Sequence, residues 1–136
     1  VEPWEIAARI QINDTIAEYA HYVDRGQGER VAALFTPDGV LEAGQGQIGR
    51  GRDEITRMLS GYTGEAAGIT FSRHNVTNLM VQSVSPEQIQ TLCYFFVISD
   101  VGVDHCGRYR DVFVPADGRW LFAHRSVRLD MAPKWS

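Results

Sequence analysis

The second half of this chain reads as strand after strand. Three long runs, 69–84, 88–99 and 105–115, are rich in β-branched and aromatic residues. "PADGR" (115–119) is an Asp-Gly hairpin turn, and it leads into a fourth run, "WLFAHRSVRLD" (120–130). The first 60 residues have a different period. Ile6, Ile10, Ile16, Ala17, Ala20 and Val23 recur at spacings of three and four or their multiples, which predicts a helix over 4–24. Arg25-Gly26 ends it. A second, shorter helix carries Val31, Leu34 and Phe35 as its apolar stripe. "TPDG" (36–39) predicts a turn and "VLEA" (40–43) a short strand. "GRDEITRML" (51–59) predicts a third helix starting at Asp53, whose carboxylate suits a helix N-terminus. Helices first and long antiparallel strands after them make an α+β domain spanning 1–136. A curved sheet wrapped over the long helix would enclose a pocket, the usual form of a small-molecule site.

Charge and composition narrow the function. Net charge is -4, and no Lys/Arg run stands out, which argues against nucleic acid as a partner. No apolar run approaches the roughly 20 residues of a membrane span. No basic segment followed by an apolar core opens the sequence, so the expected setting is reduced and cytoplasmic. Cys93 and Cys106 have no metal or redox spacing. The four histidines (21, 74, 105 and 124) show no HxH or HExxH pattern, so no metal site is expected. "GQGQIG" (44–49) matches G-x-G-x-x-G, but no βαβ alternation follows it; it reads as a mobile loop.

The chemistry concentrates in "FSRHNVTNLMV" (71–81), a strand-like run that holds His74. A buried neutral imidazole needs partners for its ring nitrogens. Either His74 is a core histidine hydrogen-bonded to backbone, or it works in a cavity. Asp24 bears on the choice. It ends the first helix on the side shared with Ala20, close to the buried stripe. An acid is unfavourable at a helix C-terminus, and a protonated His74 would offset that. A His–Asp pair is a general acid/base unit: the carboxylate fixes the tautomer and the other ring nitrogen moves a proton. Tyr19 is placed to bind a substrate oxygen or to serve as a core aromatic. Asn78, four residues after His74, shares its face if alternation is unbroken. Arg128 shares a face with Trp120, Phe122, His124 and Ser126, where it either stabilises an oxyanion inside or pairs with a surface acid. Run 88–99 is apolar on both faces, with Ile89, Cys93, Phe95 and Val97 on one and Leu92, Tyr94, Phe96 and Ile98 on the other. One face can line the pocket; the other predicts a homo-oligomer, a dimer or trimer.

"IAEYAHYVDRGQGERVAALFTPDGVLE" (16–42), "GRDEI" (51–55), "RHNVTN" (73–78) and "GRYRDVFVPADGRWLFAHR" (107–125), in this order, resemble the SnoaL-like branch of the NTF2-like superfamily. The resemblance implies a cone-shaped α+β barrel. In site layout it is nearest to scytalone dehydratase, hexachlorocyclohexane dehydrochlorinase and bile-acid 7α-dehydratase, which implies Asp24 and His74 as the catalytic pair. Tyr19, five residues before Asp24, and Arg128 on the last strand are similar in position to residues of the bile-acid enzyme. The implied activity is a cofactor-independent, dehydratase-type lyase acting on a small hydrophobic oxygenated molecule. Ketosteroid isomerases, polyketide cyclases and non-catalytic binding or scaffold subunits share the superfamily. The isomerase alternative would place a carboxyl group such as Asp111 inside the cone.

Overall fold

The computed structural model describes residues 1–60 and 71–132. Helix α1 runs from Pro3–Asp24, α2 from Gly28–Ala32 and α3 from Gly51–Leu59. The strands are β1 (Phe35–Glu42), β2 (Ile48–Arg50), β3 (Ser72–Ser85), β4 (Gln88–Ser99), β5 (Gly102–Ala116) and β6 (Arg119–Met131). They form one sheet in the order β2-β1-β6-β5-β4-β3. Every neighbouring pair is antiparallel except β1 and β6, which run parallel. This is the expected α+β architecture. Residues 69 and 70 of the first long run lie outside the described residues, and β3 begins at Ser72. Asp117 (φ 52°) and Gly118 (φ 77°) both adopt positive φ, as a two-residue hairpin turn between right-twisted strands requires.

Helix α1 lies against β3 and β6 across the inner face of the sheet. Its buried residues are Ala8, Ile12, Thr15, Ile16, Tyr19, Ala20 and Val23. Of the expected stripe, Ile16, Ala20 and Val23 are buried, while Ile6, Ile10 and Ala17 are exposed. Spacing alone selects a face; only the sheet decides which face is covered. Thr15 Oγ1 donates to the Trp120 carbonyl at 2.9 Å and ties the middle of α1 to the start of β6. Phe35, Phe113 and Phe122 are fully buried, with ring centroids 4.8–5.0 Å apart along Phe113–Phe122–Phe35. Burying each such side chain contributes about 1.5–3 kcal/mol. Cys93 is buried and unbridged, and burial pushes its thiol up to about 11, so it stays protonated.

Three local expectations change. The "TPDG" turn lies inside a longer β1, where the pairing jumps from Phe35–Phe122 to Val40–His124. The surplus residues bulge outward, and Arg52 closes the bulge by donating from Nε and Nη2 to the Phe35 carbonyl at 3.0 and 2.8 Å. The "GQGQIG" segment is not a loop throughout: Gly44–Gly46 form a single 3-10 turn and Ile48–Arg50 add an edge strand. Helix α3 also starts at Gly51, two residues before Asp53.

Single-residue bulges in β3, β5 and β6 set the rest. On β6 the pairing steps from Phe113–Phe122 to Val112–His124, so Ala123 is surplus. On β3 it steps from Thr77–Tyr94 to Met80–Leu92, with Asn78 at φ 57°. On β5 it steps from His105–Val97 to Val103–Ile98, so Asp104 is surplus. Each bulge switches which side chains face inward beyond it.

Candidate active site

The last residue of α1, Asp24, meets the start of β3. Its carboxylate accepts the His74 backbone N–H, with both oxygens at 3.1 Å, and the His74 ring Nδ1 at 2.7 Å. Both side chains are about nine-tenths buried. Those contacts answer the helix-end problem: the acid at the negative end of α1 is held by two donors from the strand. With Nδ1 donating to Asp24, a neutral His74 carries its lone pair on Nε2.

His74 sits where two concavities meet. One is the interior of the cone, about 320 Å³, with Tyr19, Phe95, His105, Tyr109 and Val127 among its walls. Met58 and Leu59 of α3 and the 43–47 segment line it as well. The other is a larger groove, about 850 Å³, between α1 and β3, with Asp24, Arg25, Arg73 and Asn78 along it. Asp24 lines only the groove, so it supports His74 from behind while the imidazole reaches both spaces.

Tyr19 lines the interior with His74. It is 5% exposed and packs edge-on against Tyr109 and Phe122. Burial raises the pKa of both Tyr19 and Tyr109, so each keeps its proton and remains a neutral donor. Asn78 is not brought to the interior. It is exposed at the β3 bulge, lines the outer groove, and the surplus residue breaks the alternation that would have carried it to the face of His74.

Arg128 needs the same correction. It is exposed, pairs across strands with Arg108, and belongs to a shallow patch with Leu92, Arg108 and Arg110 on the outer face. The surplus Ala123 inverts the expected face after Phe122. The inward arginine is Arg125, which is fully buried. It donates through Nε and Nη2 to Asp111 at 2.8 and 2.9 Å. Its guanidinium lies over Tyr109, Tyr19 and Phe122, at 3.7, 4.2 and 4.5 Å from the ring centroids. Burial alone would lower the pKa of Arg125, but the Asp111 charge more than reverses this and holds it protonated. The pair forms a charged floor beneath the two tyrosines.

Sequence reasoning also missed His105 as a site residue. It lines the interior opposite His74, with ring centroids 6.3 Å apart and the planes nearly perpendicular. Its Nδ1 lies 2.7 Å from Asp104 Oδ2. The signal was a His directly after an Asp, which regular alternation assigns to opposite faces.

Residues 4–126 match the family model of the SnoaL-like domain. The chain belongs to that family. Its architecture is the NTF2-like, cystatin-like fold. No curated protein sequence matches the chain. Among solved structures, a protein from Catenulispora acidiphila is 33% identical, with a TM-score of 0.79, covering 93% of this chain and 95% of that one. A second structure from the same organism, in complex with S-DNPA, is 30% identical with a TM-score of 0.75, covering 92% and 95%. LinA is 18% identical with a TM-score of 0.79, covering 95% and 90%, a likeness of fold.

Proposed function

We propose that this SnoaL-like protein is a cofactor-independent lyase that eliminates water or another leaving group from a small, hydrophobic, oxygenated molecule. The observation that carries the reading is the Asp24–His74 contact at 2.7 Å on the wall of a cavity also lined by Tyr19, Phe95, Tyr109 and Val127. A carboxylate on Nδ1 fixes the tautomer and stabilises the imidazolium that forms. His74 Nε2 then acts as general acid/base, exchanging a proton with the substrate at the reacting bond. The Tyr19 phenol, protonated and in the same cavity, holds a substrate oxygen. Proton transfer of this kind needs no metal or organic cofactor. A cavity of about 320 Å³ suits a ligand of modest size. The relative that binds S-DNPA supports a small-molecule ligand for this branch. The isomerase alternative is weaker, because the inward carboxylate it would use, Asp111, is committed to Arg125 by two hydrogen bonds. Two unbridged cysteines fit a reducing, cytoplasmic setting.

The test is turnover by His74→Ala and Asp24→Asn across hydroxylated polyketide-like, steroid-like and halogenated alicyclic compounds. On any compound the wild type converts, each variant should lose about 10²–10⁴-fold in kcat. The double variant should lose little more than the worse single one, because the residues act as a unit. Wild-type turnover by His74→Ala would end the reading.

A further inference from the structure

The β5 bulge builds a second histidine–carboxylate pair, whose imidazole lines the cavity. On a regular strand Asp104 and His105 would point to opposite faces. Here Val97 pairs with His105 and Ile98 with Val103, which leaves Asp104 unpaired between them. The bulge turns both side chains the same way, and bulges recur beside active sites for this use. Asp104 is fully buried, and its Oδ2 lies 2.7 Å from His105 Nδ1. That contact repeats the one between Asp24 and His74: carboxylate on Nδ1, Nε2 on the other side of the ring. The two imidazoles come from different strands and line the same cavity 6.3 Å apart. A buried Asp–His pair built by a strand irregularity, facing a second one, is more than core packing requires. An apolar side chain at either position would spare the desolvation of a carboxylate.

We infer that His105, oriented by Asp104, is the second proton-transfer residue of this cavity and divides the elimination with His74. The inference rests on the lyase reading above. Neutral His105 takes the proton from the substrate carbon at Nε2. The C–H electron pair becomes the new π bond, and the C–O bond breaks with its pair on oxygen. That oxygen takes the Nε2 proton of the His74 imidazolium, which Asp24 stabilises, and departs as water. One proton has then moved from His74 to His105, and exchange with water resets the pair.

The surroundings favour this division. His105 is held in the neutral form by burial first, and its neighbour His74 adds to this, while Asp104 pulls the other way. The groups facing it among the described residues are Asp104 and Tyr109 from β5, His74 from β3 and Tyr19 from α1. On β4 its cross-strand partner Val97 and the ring of Phe95, packed edge-on at 5.9 Å, are both uncharged. His74, by contrast, reaches the outer groove, where proton exchange with water is open.

The experiment is the pH–rate profile of wild type, His105→Gln, Asp104→Asn and His74→Ala on one converted compound. His105→Gln should lower kcat by about 10²–10⁴-fold with little change in KM, and should lose the acidic limb of the profile. Asp104→Asn should keep that limb but move it to lower pH, because the carboxylate that favours the His105 imidazolium is gone. Wild-type kcat and an unchanged profile in His105→Gln overturn the inference. If circular dichroism shows that His105→Gln does not fold, Asp104→Asn decides: an unmoved acidic limb overturns it. A dead His74→Ala beside a fully active His105→Gln leaves the lyase reading standing and removes only this inference. Full activity in both removes both.

Discussion

The buried Arg125–Asp111 pair makes the strongest stability prediction. Asp111→Asn keeps the shape and removes the charge. Arg125 then loses the carboxylate that accepts two of its hydrogen bonds, at 2.8 and 2.9 Å, yet stays fully buried. An arginine cannot relieve this by giving up its proton. Its Nη1 already has no hydrogen-bond partner among the described residues. What remains is the set of three ring faces at 3.7–4.5 Å, each worth up to about 2 kcal/mol when desolvated. Breaking a buried pair from one side costs about 3–5 kcal/mol. With a urea slope of about 2 kcal/mol per M, the unfolding midpoint should fall by about 1.5–2.5 M.

Arg125→Met tests the asymmetry. It leaves Asp111 alone, and burial, which already pushes that carboxyl upward, then acts unopposed by the guanidinium. A folded-state pKa above the unfolded value means that the native state binds the proton more tightly. The penalty in Arg125→Met should therefore shrink as pH falls toward the unfolded carboxylate value and grow as pH rises. Asp111→Asn should show no such relief. Arg125→Met with Asp111→Leu should cost less than the sum of the two single changes, since neither leaves a buried charge behind. If Asp111→Asn unfolds within about 0.3 M of wild type at an unchanged slope, the pair is not the buried, dry contact described, and the reasoning fails.

Three further outcomes follow from other parts of the molecule. Because burial lowers the folded-state pKa of His105, the unfolded chain takes up a proton there before the native one does; stability should fall as pH drops through about 6.5, and His105→Gln should flatten that slope in urea titrations. Gly107 sits where a Cβ would collide with the Arg128 carbonyl and crowd the Phe95 ring, so Gly107→Ala should destabilise by about 1–3 kcal/mol; an unchanged thermal midpoint would falsify that close approach. The outer face of the sheet exposes Met80, Tyr94, Ile98 and Val103, so the expected homo-oligomer should weaken in Tyr94→Glu, and a monomer mass by light scattering for the wild type at micromolar concentration would dismiss it.

The sequence by itself determined the long helix, the four long strands and their order, but not the edge strand Ile48–Arg50 or the early start of β1 at Phe35. The change from helical to strand period near residue 70, the Asp-Gly hairpin and the apolar 88–99 run depend on local periodicity and turn chemistry, which need no tertiary information. It also placed Asp24 at the end of a helix and His74 near the start of a strand; the unfavourable acid at a helix terminus was a usable sign of a partner. What it could not determine is which side of a long strand faces in after an irregularity. Alternation extrapolated across Ala123 selects Arg128, and the fold selects Arg125. Across residue 78 it carries Asn78 inward, and the fold leaves it outside. Across Asp104 it separates two side chains that the fold sets 2.7 Å apart. A bulge is a property of two paired strands whose residue counts disagree, and a single strand's sequence does not contain its partner's count. The same limit applies to α1, where Ile6 and Ile10 have the right spacing and the wrong face. Pattern sets the period; packing against the sheet sets the phase.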